Sequence, residues 1–320
     1  TVIIGAALHH PMTRAEVRRK IGASMFNRVR VVQHNPDRKL KLLGVSSLGN
    51  KIWIDYRMAA AGVRIATGDI VPHPYAGFSG GSKAVLPGVA GRATILSNHL
   101  QVRRFGLAFG KLDGNPIREE MDEAARMLPL DFLVNTVMNS RGELVRVVAG
   151  DPLRAHMEGA KLCKEIYTVK VPARPDLLLT SAYPYDDDFY HASKALENSG
   201  PIVKNGSTVI VSSPCYRGWG TDDLRYFLRK ASAQEILDSI DRNPKRNLVT
   251  ALVGYQVALI RERCQVILYS KGLDRKQTEK MQMWHSSNLQ RSVDEAMAAA
   301  GHASEVVFLP HAAFSMPVLM

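Results

Sequence analysis

Two histidines and a lysine flank a glycine-rich loop in the stretch PHPYAGFSGGSKAVLPGVAGRATILSNH, residues 72–99. Gly77, Gly80 and Gly81 remove side chains where a loop turns sharply or where backbone amides approach a ligand, and amides exposed in this way favour phosphate or carboxylate. His73 precedes the loop, Lys83 follows it and His99 lies further on. Imidazoles carry protons or bind metals, and a lysine beside such a loop pairs with an anion or acts as a nucleophile. The Walker-type spacing GxxxxGK is absent. Loop chemistry alone therefore leaves two readings open, an anion site and an ordinary Gly/Ser turn with structural histidines.

The elements that must position these residues can be read from the same sequence. Val2 to Ala7 reads as a buried strand, and LHHPMTRAEVRRKIG follows it, with Thr13 and Glu16 at capping-box spacing and Gly22 placed to close the helix. His9 and His10 thus fall in a strand-to-helix turn, where side chains of α/β folds face ligand crevices. At least one of them is a candidate general base, the alternative being a surface pair. Arg28 to Gln33, Lys51 to Asp55 and Val63 to Ile70 read as strands, the last leading into His73. Asn115 and Pro116 look like the N-cap and first residue of a helix to Met127, Asp131 to Val137 and Leu144 to Ala149 like a hairpin across Asn139 to Gly142, and Pro152 to Tyr167 like a helix.

VKVPARPD, Val169 to Asp176, carries two prolines and no helical period and is the expected linker. The chain is expected to form two domains, residues 1–171 and 172–320, an N-terminal mixed α/β domain and a C-terminal doubly wound, mostly parallel sheet with strands near 176–180, 208–212, 264–269 and 305–309. In the second, YPYDDDFYHASKALENSG joins a strand to its helix, and His191 and Lys194 share a face if that helix starts by Tyr190. Such a pair can hold a carboxylate, or simply be exposed on a first turn. Asp186 to Asp188 allow a magnesium reading, but aspartates at a helix start are favoured as caps. Thr221 looks like another N-cap. Cys215 has no identifiable base nearby in sequence and reads as an inert thiol. Trp219 and Trp284 fill cores or line a cleft, and His34, His285, His302 and His311 have no partner at a meaningful spacing.

Composition excludes several classes. The 320 residues are 46% hydrophobic, enough for two ordinary cores, and no run is long and apolar enough to span a membrane. The net charge of +12 arises from basic residues spread among acids, without zinc-finger spacing or an RNA-recognition signature, so no nucleic-acid partner is expected. Three distant cysteines argue against a disulfide framework and for a reducing compartment, the cytoplasm by default.

The blocks LHHPMT, PHPYAGFSGGSKAVLPGVAG with its later NH, GNPIREEMDEAAR, VVAGD and DFYHASK, in this order, resemble the nickel-pincer lactate racemase family and its 2-hydroxyacid racemase and epimerase relatives. The resemblance implies a nickel pincer nucleotide, a pyridinium mononucleotide whose two sulfur arms and ring carbon hold nickel. Lys83 matches the lysine that carries it covalently, His99 the histidine on nickel, and His9 and His73 the acid/base pair on opposite faces of the substrate. One histidine takes the hydroxyl proton while C2 gives hydride to the pyridinium ring. The resulting planar 2-keto acid regains hydride on the other face with the second histidine as acid. Lys194 matches a substrate-contacting lysine, and Tyr190 and His191 belong to the same substrate-binding set. Ser79, Gly80, Gly81 and Ser82 are assigned to the cofactor phosphate from loop chemistry.

Two departures bear on the substrate. His191 stands where lactate racemase carries glutamine, and His10 where arginine is frequent. Family proteins also carry roughly a hundred residues ahead of the strand at Val2, with an Asp/Arg pair that helps hold the substrate, and this sequence is expected to lack that portion. The implied partners are a small 2-hydroxyacid and the proteins that make the cofactor, with a homo-oligomer left open. Two rival readings are a zinc-dependent hydrolase or lyase with His9, His73 and His99 as ligands, and a non-catalytic cofactor-binding member of the family.

Overall fold

Local sequence signals become elements where the chemistry asks for them. Thr13 and Glu16 form the capping box, the Glu16 carboxylate accepting the Thr13 amide at 2.7 Å, and Gly22 ends the helix Arg14–Ile21 at φ 82°. Asn115 caps Pro116–Met127 with proline in its first turn, and a sixteen-residue helix fills Pro152–Tyr167. The computed structural model describes residues 1–9, 11–243, 246–301 and 304–320, so the expectations placed on His10 and His302 lie outside the described residues.

The chain divides into two units, Thr1–Ile166 and Tyr167–Met320. The first is mixed α/β. Ile65–Asp69 pairs parallel with Phe132–Met138, which pairs antiparallel with Leu144–Gly150. Val2–Ile4 lies parallel to Val31–Gln33, and Leu40–Val45 lies antiparallel to Lys51–Asp55. The first strand is shorter than expected because Gly5 passes Gly88 so closely that a Cβ would lie 2.8 Å from its carbonyl oxygen, and Ala7 then turns at φ 49°. The strand expected from Arg28 is also shorter, since Ala23–Arg28 is helical.

In the second unit, among the described residues, five parallel strands are ordered Trp284–Ser286, Gln265–Tyr269, Thr208–Ser212, Leu177–Ser181, Val306–Leu309. The chain steps outward from Leu177–Ser181 and returns to its other side, which creates a topological switch point there. Alternation of side chains gives each face a core. Leu178, Val209, Val211, Val266 and Leu268 pack with the helices Phe189–Ser199 and Leu248–Arg261, while Leu177, Ile210 and Ile267 pack with Leu289–Ala300. This is the doubly wound arrangement. The segment expected to be a linker is in part a strand, Thr168–Val171, because its β-branched run pairs parallel with Met316–Leu319.

Candidate functional site

His9, His73, Lys83 and His99 all belong to the first unit, and backbone contacts tie their carriers together. The turn bearing His9 is pressed on the segment after Lys83: the Ala7 amide donates to the Gly88 carbonyl at 3.3 Å, and the Gly88 amide donates to the Lys83 carbonyl at 2.9 Å. Lys83 lies in a short 3-10 turn, Gly81–Ala84, and is half-buried. His73 sits in a two-residue ladder with Gly77, and its Nδ1 accepts the amides of Tyr75 and Ala76 at 3.3 Å each. With Nδ1 accepting, the proton of a neutral His73 ring sits on Nε2. The buried Tyr75 ring bridges two of the histidines, edge-on to His73 at 5.0 Å and tilted against His99 at 5.7 Å.

His99 is buried on the helix Arg92–Leu100. Burial pushes its pKa down to about 3, and the charges of Lys83 and His9 act in the same direction, which places both within electrostatic reach of the ring. A hydrogen bond to the Ile95 carbonyl opposes the shift without reversing it. His99 is therefore neutral at pH 7, the form that binds metals. Its tautomer follows from its neighbour. The Asn98 amide nitrogen donates to Ile117 O at 3.1 Å and to the Glu120 carboxylate at 2.7 Å, so Asn98 Oδ1 faces His99 Nδ1 at 3.2 Å and accepts from it. That leaves the lone pair on Nε2. Ser46 completes the chain, its hydroxyl donating to Glu120 at 2.6 Å.

The glycine loop is walled by other elements. Gly81 N donates to Asn135 Oδ1 at 2.9 Å, and a Cβ on Gly80 would lie 2.7 Å from that same oxygen. The Ser79 hydroxyl accepts from Val71 N and donates to Asp69 O, both at 2.8 Å, so it builds the loop itself. Ser82 is half-buried in the first turn of the 3-10 segment. Behind Lys83, the chain is tied down by a residue whose spacing gave no hint. His34 is buried with Nδ1 3.0 Å from Asp55 and Nε2 2.8 Å from Ala90 O, so it does have partners. Burial works to raise the Asp55 carboxyl, but hydrogen bonds from Arg57 and His34 outweigh it and hold the group far below the usual carboxylate range.

Tyr190, His191 and Lys194 share one helix of the second unit, whose first helical residue is Phe189. Asp188 is its N-cap, accepting the His191 amide at 2.9 Å and lying 2.8 Å from His191 Nδ1, which settles the aspartate in favour of capping. Tyr190 is half-buried and edge-on to His191 at 5.2 Å, and burial pushes its hydroxyl up to about 12. Lys194 is exposed, with Nζ 5.0 Å above the Tyr185 ring, which stacks on Phe314. Cys215 is buried with its thiol pushed up to about 11 by desolvation, as an inert thiol should be. Thr221 caps its helix, Trp219 packs on the core and Trp284 is exposed.

Sequence reading missed Tyr75, Asn98, Glu120, Asn135, Arg118 and His156, all buried polar or aromatic groups around the four residues above. One signal was present for two of them: Arg118 and Glu120 flank the apolar positions Ile117 and Met121 in the helix Pro116–Met127. Among the described residues, no three His, Cys, Asp or Glu side chains are grouped to hold a metal, so the three-histidine zinc arrangement is not formed. Among them also, no helix is long and apolar enough to cross a membrane.

His9, His73, Lys83 and His99 on a mixed α/β unit, followed by a doubly wound unit, define the class as a two-unit α/β protein. The comparisons carry this to a family. The lactate racemase N-terminal domain matches residues 1–106 and the lactate racemase C-terminal domain residues 172–316. The chain is 28% identical to lactate racemase of Thermoanaerobacterium thermosaccharolyticum over 97% of its length and 74% of the relative's. It is equally identical, at the same coverage, to lactate racemase of Lactiplantibacillus plantarum. Its structure superposes on the T. thermosaccharolyticum lactate racemase apoprotein with a TM-score of 0.90 at 26% identity, covering 99% of this chain and 78% of that one. A Thermotoga maritima protein, 17% identical with a TM-score of 0.74, shares the fold over 99% of this chain and 85% of its own. The chain belongs to the lactate racemase family.

Proposed function

We propose that this protein is a racemase or epimerase of a 2-hydroxyacid that works with a nickel pincer nucleotide held covalently on Lys83. The observation that carries this reading is the convergence of His9, Lys83 and the buried, neutral His99 in one unit, with Tyr75 linking His99 to His73. The residues fit such a group. His99 offers its Nε2 lone pair, and Lys83, whose charge reaches the His99 ring, leads out of a loop whose glycines Gly80 and Gly81 are packed against Asn135 and His156.

When bound, the nucleotide supplies the ring carbon that accepts hydride from C2 of the substrate. His99 would hold the metal through Nε2, and Lys83 would hold the nucleotide covalently. Of the four residues expected at its phosphate, the Ser79 hydroxyl and the Gly81 amide are spent inside the loop, which leaves Gly80 and Ser82 to line it. His9 and His73 exchange the hydroxyl proton, one taking it from one configuration and the other returning it to the opposite one. Lys194 pairs with the substrate carboxylate or its polarised oxygen, with Tyr190 and His191 beside it on the same helix turn. His191 stands where lactate racemase carries glutamine, a difference that bears on which 2-hydroxyacid fits.

The test is intact-mass measurement on protein co-produced with the cofactor-synthesis proteins, followed by a chiral screen of 2-hydroxyacids. The expected result is an adduct on Lys83 and interconversion of one substrate's enantiomers. An unmodified Lys83 overturns the covalent form of the proposal.

A further inference from the structure

Behind the glycine loop lies a buried polar chain that none of the roles above uses. Arg118, on the helix Pro116–Met127, is buried, its Nε donating to Asp122 Oδ1 at 3.0 Å. Its Nη1 reaches the Phe78 carbonyl at 3.4 Å and its Nη2 lies 3.2 Å from Nδ1 of His156. His156, on the helix Pro152–Tyr167, is also buried, with Nε2 2.9 Å from the Ser79 carbonyl.

The direction of each hydrogen bond follows from chemistry. A guanidinium has donors and no acceptor, so Arg118 must donate to His156 and the Nδ1 lone pair must receive it. The neutral ring then carries its proton on Nε2 and donates it to Ser79 O. Burial, and the charges of Arg118 and Lys83, keep the ring neutral down to about pH 3. Gly81 seals the contact: a Cβ there would lie 2.6 Å from His156 Cγ and 2.8 Å from Arg118 Nη2. With Asn135 holding the Gly81 amide from another side, Phe78, Ser79 and Gly81 are gripped just before the turn that presents Lys83.

We infer that His156, locked as its Nε2–H tautomer by Arg118, is a positioning residue that fixes the Ser79–Gly81 backbone and so presents Lys83 for cofactor attachment. This rests on the function proposed above. Neither side chain touches the reacting atoms. They act through the loop, as residues behind a ligand do when they orient it.

Two measurements test it. In the protein made without cofactor, the ring 15N shifts of His156 at pH 7 are expected to report a protonated Nε2 and a bare Nδ1. An Nδ1–H tautomer or an imidazolium overturns the inference whether or not the cofactor reading holds. In protein loaded by the co-expressed synthesis proteins, His156→Phe is expected to form the Lys83 adduct about tenfold more slowly than wild type at matched folded content. His156→Gln, which keeps a donor for Ser79 O, is expected to recover part of that rate. Equal loading of His156→Phe and wild type overturns the inference, whereas no adduct on wild type overturns the function proposed above and leaves the ring measurement to decide this one.

Discussion

Lys83 and Lys194 are both assigned to chemistry, yet the two units hold them in opposite ways. Lys83 leaves a loop gripped from several sides by buried groups, Asn135, His156 and Arg118, none of which is near it in sequence. Lys194 stands on an exposed face of a helix, with a tyrosine ring beneath it and Asp188 setting the helix start. A covalent anchor and a metal ligand must be held to a fraction of an ångström, which calls for a packed and fully hydrogen-bonded surround. A carboxylate contact tolerates a flexible ammonium on a long stem. On the function proposed above, the contrast separates a rigid cofactor cradle from an adjustable substrate grip.

Substitutions should grade along that contrast. The largest effect is expected from Lys83→Ala, with complete loss of the adduct by intact mass. Next, His9→Ala and His73→Ala should retain the adduct but lose racemisation by about a hundred- to ten-thousandfold in kcat, the range for removing a general acid or base. Loss of adduct in either variant would move that histidine into the cradle. Lys194→Ala should load normally and raise KM by about tenfold or more, as loss of a charged hydrogen bond of about 1.5–3 kcal/mol implies. Failure to load would show that the second unit takes part in holding the cofactor.

The smallest effect concerns the helix that carries Lys194. Asp188→Ala should cost about 1 kcal/mol of stability at pH 7, the worth of an N-cap. Burial opposes ionisation of Asp188, but hydrogen bonds from the His191 side chain and amide hold its carboxyl below the usual range. A carboxyl depressed in the folded state stabilises above its unfolded pKa, about 4, and loses that contribution as pH falls through the folded value. Thermal melts should therefore show the gap between wild type and Asp188→Ala closing in acid below about pH 4.

Local signals in the sequence translated well. The capping box at Thr13, the Asn115 and Pro116 helix start and the strand Thr208–Ser212 each depend on neighbours a few positions away. Four of the five strands of the second unit's sheet were legible because their alternation with helices is regular. Thr168–Val171 and Met316–Leu319 were not read as strands, since each is defined by a distant partner and Pro317 disguises the last, whereas Leu40–Val45 and Trp284–Ser286 went unread although their partners lie closer in sequence. The site divides in the same way. Its histidines and lysine show by type around the glycines, whereas Asn98, Arg118, Asn135 and His156 look like ordinary surface polar residues until long-range packing buries them. His34 became intelligible only when Asp55 and Ala90 were seen on either side of its ring.

The parallel pairing of Thr168–Val171 with Met316–Leu319 bears on how the second unit assembles. The strand Thr168–Val171 finds its partner about 150 residues later, so forming that ladder closes a loop as long as nearly the whole unit, at an entropic cost that grows only slowly with length. Contacts between such distant positions slow folding, and a unit sealed by one of them melts as a single cooperative body. Progressive denaturation should therefore release this strand pair together with the five-stranded sheet, in one transition rather than by fraying from an end.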